Sequence, residues 1–141
     1  MTQGGANPKG IAIRPLRSGD EPAYRRFCDE RFGPDGYQGR SNYLQWLYID
    51  NPAGRGFADC LLATEPSGAI VACIHRMRLS WQINAGRVDI PSLHNLVAEP
   101  SRGGAGFFVL MAAVRGETHA LIPGVVGDLA QAYARMRYQR V

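Results

Sequence analysis

Apolar and polar positions recur along this chain with periods that place most of its elements. Residues 11–16 (IAIRPL) alternate and read as a first strand, with Pro15 suited to an edge or strand end. Ser18-Gly19-Asp20 is a turn. Ser18 or Asp20 can cap a helix over 21–32, in which Pro22 occupies the first turn and Tyr24, Phe27, Cys28 and Phe32 fall near one face. Residues 33–40 hold three glycines and a proline and read as a mobile loop. A second helix over 42–50 sets Tyr43, Trp46, Leu47 and Asp50 at i, i+3, i+4 and i+7, and Asn51-Pro52-Ala53-Gly54 stops it. Trp46 and Tyr48 are read there as core and packing residues.

The middle of the chain switches to strand character. Residues 57–64 form a second strand, Pro66-Ser67-Gly68 a hairpin turn, and residues 69–83 a long third strand. Its first part is apolar throughout, as a central strand requires. Its second part alternates, with Arg76, Arg78, Ser80 and Gln82 on one face and Met77, Leu79, Trp81 and Ile83 on the other. His75 shares the Met77 face and is expected as a hydrogen-bonded core or rim histidine. Asn84-Ala85-Gly86 turns the chain into a fourth strand over 88–98. Glu99-Pro100-Ser101 breaks that strand, Arg102-Gly103-Gly104-Ala105-Gly106 follows, and residues 107–114 (FFVLMAAV) are apolar enough for a buried helix. Residues 119–126 read as a fifth strand, parallel to the fourth by a right-handed crossover, with Pro123 marking a bulge or edge. Gly127-Asp128 opens a last helix, with Asp128 as its cap.

Composition narrows the class. A chain of 141 residues has room for one domain with a real core. No apolar run approaches the roughly 20 residues of a membrane span. Residues 1–10 lack the apolar core of a signal peptide and read as a disordered tail. The three cysteines, Cys28, Cys60 and Cys73, are odd in number and without CxxC spacing, so neither a disulfide framework nor a metal site is indicated. Cys60 and Cys73 lie in apolar runs and read as buried thiols, which points to the cytoplasm. The net charge of +4 comes from scattered arginines, with a concentration at Arg135, Arg137 and Arg140. Solvated surface explains most of them. A basic mouth for a phosphate-bearing cofactor ranks second, and nucleic acid third, since no basic run with interleaved aromatics is present.

The candidate chemistry sits at residues 92–110. Glycines lack a Cβ, so their N–H groups can close on a ligand. The following helix aims its unpaired N–H groups and positive dipole end at the same spot. A pyrophosphate fits such a cradle, and Arg102 could add charge; a tight turn before a core helix is the plain alternative. A P-loop would need Lys-Ser/Thr where Phe107-Phe108 stands, and the GGAG spacing is not that of a dinucleotide fingerprint. The stretch resembles the acetyl-CoA loop of the GNAT acyltransferases: a strand ending in valine, a proline bend, then Arg/Gln-x-x-Gly-x-Gly/Ala opening a helix. Val97, Pro100, Arg102, Gly103, Gly104, Ala105 and Gly106 carry the resemblance. Counted from Arg102, Ala105 and Phe107 fall on the two glycine positions; shifting Gly104 and Gly106 onto them leaves Ser101 at the Arg/Gln position. The opening IRPLRSGDEPAY and the helix end at Trp46, Tyr48, Asn51, Pro52 and Gly54 are similar to segments of the same family. The last helix resembles the family's A-x-x-LY-x-x-x-GF-x-x-V ending, with Tyr133 on the tyrosine, Arg137 on the glycine and Tyr138 on the phenylalanine. Val126 stands where an asparagine is usual.

The resemblance implies an α+β domain over residues 11–141, with a mixed, mainly antiparallel sheet of about five strands flanked by helices. It implies acetyl-CoA as co-substrate, bound by Leu96, Val97, Arg102, Gly103, Gly104, Ala105 and Gly106, and direct transfer of the acetyl group to an amine. A backbone N–H near Leu96 or Val97 would hold the thioester carbonyl. His94 is the first choice for the base, ahead of Asp89 and Glu99, and Tyr133 would protonate the departing thiolate. A structural histidine and a packed tyrosine are the plain readings of the same two residues. The acceptor is a small-molecule or peptide amine, met by the loop around Gly36. The family's sheet continues beyond this last helix, so the domain is expected to be incomplete at its C-terminus, with an open edge for a homodimer or a C-terminal partner. The altered glycine pattern, Val126 and Arg137 keep open a catalytically degenerate domain that binds CoA or dimerises without turnover.

Overall fold

The computed structural model describes residues 10–125 and 127–139. Apart from Gly10, the expected N-terminal tail lies outside the described residues, as do Val126, where the family asparagine was sought, and Arg140. β1 (Ala12–Pro15) pairs antiparallel with β2 (Cys60–Thr64), β2 with β3 (Ile70–Ile83), and β3 with β4 (Gly86–Ala98), so strand order follows chain order. β2 is buried along its whole length, because both its faces are covered. Cys60, Leu62 and Cys73 pack under α1 (Glu21–Phe32) and α2 (Ser41–Leu44), beside Tyr24, Phe27 and Leu44. Leu61, Ala63, Ala72 and Ile74 pack under α3 (Ala105–Val114), beside Val109, Leu110 and Tyr133 of α4 (Asp128–Arg135). The period-2 alternation of β2 and β3 thus supplies two cores from one sheet.

Several expectations are corrected. Among the described residues the sheet has four strands, not five. In place of a fifth strand there is a single parallel bridge between Ser92 and Leu121, closed by Leu93 N–H to Leu121 O at 2.7 Å and Leu121 N–H to Pro91 O at 2.9 Å. Pro123 has no N–H to extend that ladder, and Gly124 turns at φ 70°. The second helix is α-helical only over Ser41–Leu44 and continues as a π-helical turn, Gln45–Ile49. Trp46 is 58% exposed, against the packing role expected of it, while Tyr48 is buried as expected. α3 is not buried all round, since Phe107 and Met111 are exposed. Asp20 stands at the N-cap of α1, but its carboxylate pairs with Arg14 at 2.6 Å and accepts the Arg17 N–H instead of capping. Gly127, not Asp128, is the N-cap of α4. Arg78, expected on a polar face, is buried. Its guanidinium holds Asp59 at 3.0 Å and Glu117 at 2.9 Å, tying β3 to the two loops behind it.

Candidate active site

The site grows from an irregularity in β4. Cys73 pairs with Val97 and His75 with His94, so β4 carries one more residue than β3 between those pairs. Asn95 absorbs it with φ 53°. The extra residue inverts the strand's alternation. Leu93 N–H points outward to Leu121, whereas Glu99 N–H points inward to Val71 O at 2.8 Å, although both positions are odd-numbered. Val97 N–H therefore faces β3. Leu96 N–H faces the open side, where no described residue accepts it. Beyond the Leu121 bridge the two segments diverge around a cavity of about 150 Å³, lined by Leu93, His94, Leu96, Ile122, Val125 and Tyr133 among others. Three of the residues singled out from the sequence, His94, Leu96 and Tyr133, thus meet at one gap.

The glycine turn lies at the end of the same strand. Gly104, the N-cap of α3, has φ 87°, a conformation that costs little only for glycine. A Cβ on Gly106 would stand 3.2 Å from the Ala98 Cβ, so glycine there lets α3 start hard against β4. Ala105 N–H bonds Arg102 O and Phe108 N–H bonds Gly104 O. The N–H groups of Gly103, Gly104, Gly106 and Phe107 have no acceptor among the described residues. Ala105 itself is buried. This is a donor-lined helix start of the kind that fits a pyrophosphate. The Arg102 Nε pairs with Glu65 at 2.7 Å, on a side chain half exposed.

His94 approaches the gap from the α2 face. Its Nδ1 lies 3.3 Å from Ser92 O and can donate to it, which leaves Nε2 as the acceptor, 3.4 Å from the Tyr43 hydroxyl. Burial lowers its pKa, against the pull of the Ser92 carbonyl, so the ring is neutral near pH 7. Asn95 Nδ2 donates to the same tyrosine oxygen at 3.4 Å. Burial pushes the Tyr43 hydroxyl up to about 12, so it keeps its proton. Behind His94 stands His75, fully buried, its ring 5.4 Å away. Its Nε2 bonds the Tyr24 hydroxyl, while Nδ1 has no partner among the described residues, so it is only half satisfied. Tyr24 also donates to Cys73 Sγ at 3.6 Å, and that thiol reaches Asn95 O at 3.7 Å.

Tyr133 approaches from the opposite face. It is buried in the α3-side core, and its hydroxyl makes no hydrogen bond among the described residues. Burial raises its pKa, and Tyr138 adds to the shift. Its backbone is fixed by the helix end. Tyr138 N–H bonds Tyr133 O at 3.1 Å, Arg137 N–H bonds Ala134 O at 3.0 Å, and the two tyrosine rings meet edge-on at 5.7 Å. That is a Schellman motif with its apolar contact. Arg137 takes the left-handed position, φ 66°, which explains why the resembling family has glycine there.

Sequence reasoning missed Tyr43 as the partner of His94 and Asn95 as the partner of Tyr43. Tyr43 lies 51 residues from His94 on α2, and the bulge at Asn95 brings the third group to the same hydroxyl. All three cysteines are free and buried. Among the described residues no helix is long and apolar enough to cross a membrane, and no group of three or more metal-ligating side chains is assembled.

No family model and no curated protein matches the chain. Solved structures do. It is similar to a GNAT family acetyltransferase from Brucella melitensis in complex with acetyl-CoA, with TM-score 0.63 and 20% identity, covering 92% of this chain and 83% of that one. It is similar also to an aminoglycoside 6′-N-acetyltransferase from Acinetobacter baumannii, with TM-score 0.60 and 13% identity over 94% and 95% of the two chains. A GNAT family N-acetyltransferase from Escherichia coli in complex with CoA matches with TM-score 0.63 and 12% identity over 96% and 72%. The fold is GNAT-like: a mixed α+β domain whose antiparallel sheet is flanked by helices.

Proposed function

We propose that this chain is an N-acetyltransferase that moves the acetyl group of acetyl-CoA to an amine by direct attack in a ternary complex. The observation that carries the reading is the pairing of an open-edge Leu96 N–H with a helix start of four unpaired N–H groups at the end of one bulged strand. When bound, acetyl-CoA supplies a thioester carbonyl; the C–N bond forms as the C–S bond breaks. Gly103, Gly104, Gly106 and Phe107 would hold the pyrophosphate through their N–H groups, with Ala105 packing the helix start, Arg102 at the rim and Val97 holding the strand in register. Leu96 N–H would stabilise the oxyanion. An amine N–H replacing the Tyr43 hydroxyl at His94 Nε2 would pass its proton there, and Tyr133 would return one to the thiolate. The acyl-CoA-binding domain spans residues 11–141 and works in the cytoplasm.

The test is calorimetry of acetyl-CoA on the chain and on Gly103→Glu. A Cβ at Gly103 meets nothing within 4 Å, so this variant keeps the fold and places a carboxylate in the anion site. Binding weakened by about 100-fold or more in the variant is the expected result. Equal binding by both proteins would sink the assignment of the cradle. The Glu65 grip on Arg102 favours a second reading, a degenerate domain that binds CoA or dimerises without turnover. Binding with no acetyl transfer to any amine would select it.

A further inference from the structure

Beyond Tyr43 an aromatic wall continues outward from the gap. Tyr37 and Trp46 are 53% and 58% exposed, more than large aromatics usually show without a partner. Both are braced on Tyr43. The Tyr37 ring stands edge-on at 4.8 Å, and the Trp46 ring is tilted at 6.0 Å. Since the Tyr43 hydroxyl touches His94, the wall starts at the candidate base and runs outward. Beside Trp46 a cleft of about 210 Å³ is bounded by Leu47, Pro52, Met77 and Leu79. Asp50 is the only charged side chain lining it among the described residues.

Size and charge together narrow the occupant. The cleft is below the roughly 300–1,000 Å³ of pockets for drug-sized ligands, so it takes one ring and not a long peptide. Aromatic faces carry negative potential and attract cations, and the Asp50 carboxylate has the same sign. A carboxylate on the acceptor would be repelled, and a purely aliphatic amine would leave the Trp46 face uncovered.

We infer that the acceptor is a cationic primary amine carried on a single aromatic ring, with the ring against Trp46 over the cleft and the ammonium directed past Tyr43 to His94. The use made of the bound amine rests on the acetyl-transfer reading above; its binding does not.

The experiment is ligand-observed NMR of phenethylamine, n-butylamine and phenylacetate on the full chain and on Trp46→Ala, with acetyl-CoA affinity measured in parallel on both. Phenethylamine is expected to bind at least tenfold more tightly than either comparison compound, and Trp46→Ala to lose that advantage while keeping acetyl-CoA affinity. Equal binding of butylamine, or preferred binding of phenylacetate, overturns the inference. So does phenethylamine binding that Trp46→Ala leaves unchanged, or preferred acetylation of a lysine peptide. Acetyl-CoA bound with the wrong amine preference fails this inference alone. Phenethylamine bound as expected with no acetyl-CoA affinity supports it and fails the cofactor reading alone.

Discussion

The two sides of β4 assemble their polar groups by different means. Toward α3 the donors are backbone: the Leu96 N–H at the bulge and the open N–H groups from Gly103 to Phe107. Toward α2 they are side chains that hold one another, Tyr43 to His94 and Asn95, and Tyr24 to His75 and Cys73. Backbone donors have a fixed charge state and are placed by φ and ψ, so they answer to glycine chemistry and ignore pH. Side-chain donors are placed by packing, and their roles change with protonation. The α3 side should therefore fail by mutation of the turn, and the α2 side by titration.

The largest effect expected from this contrast is acid sensitivity seated on the α2 side. Burial, with His94 adding to it, pushes His75 from 6.5 down to about 3. The unfolded chain takes up a proton below about pH 6.5 that the folded chain refuses. The stability is thus complete above pH 6.5 and is lost as pH falls toward 3. The loss is on the order of 1 kcal/mol per pH unit, about 4 kcal/mol over the window. His94, also lowered by burial, acts in the same sense. Urea unfolding between pH 7 and pH 4 should show His75→Gln falling less steeply than the unaltered chain, whatever its stability at pH 7. Parallel curves would show that the buried histidine does not carry the acid sensitivity.

Tyr133 sharpens the contrast from the other side, because its side-chain hydroxyl, the acid of the proposed reaction, lies on the side where the other polar groups are backbone donors. Phenylalanine keeps the ring, its edge-on contact with Tyr138 and its place in the core, and removes only the hydroxyl. Tyr133→Phe should lower kcat by about 100-fold with acetyl-CoA affinity unchanged. An equal loss in affinity and kcat would mean that the hydroxyl positions the ligand and is not the acid.

The same division explains what the sequence disclosed. Four strands, the glycine turn and both flanking helix layers follow from period-2 runs, proline breaks and turn residues, all of them local signals. The donor-lined start of α3 was legible because glycine in Gly103, Gly104 and Gly106 is itself a statement about backbone geometry. The α2 side was not. Tyr43, Trp46, Leu47 and Asp50 keep α-helical spacing through a turn that the structure winds as π, with Asp50 N–H on Gln45 O. The Tyr43–His94 contact spans 51 residues and leaves no periodic trace. The bulge that aims Leu96 outward depends on one asparagine at positive φ, which a strand pattern through Asn95 conceals. Residues 119–126 misled in the opposite way. Their apolar content reads as a strand, but Pro123 and the Gly124 turn reduce the pairing to one bridge at Leu121.

The smallest expected effect concerns how Tyr133 is held. Arg137 occupies the left-handed position of the Schellman motif that ends α4, with φ 66°. A β-carbon there costs about 1 kcal/mol, partly offset in glycine by the greater freedom of the unfolded chain. Arg137→Gly should therefore raise stability by roughly 0.5 kcal/mol and the melting temperature by a few degrees. Arg137→Ala keeps the β-carbon while removing the charge, and serves as the control. If alanine stabilises as much as glycine, repulsion among the basic residues near this helix end is the cause and the backbone is unstrained. If glycine alone stabilises, the strain is real, and kcat measured on the same variant shows whether the family's usual residue holds the Tyr133 hydroxyl more firmly at the gap.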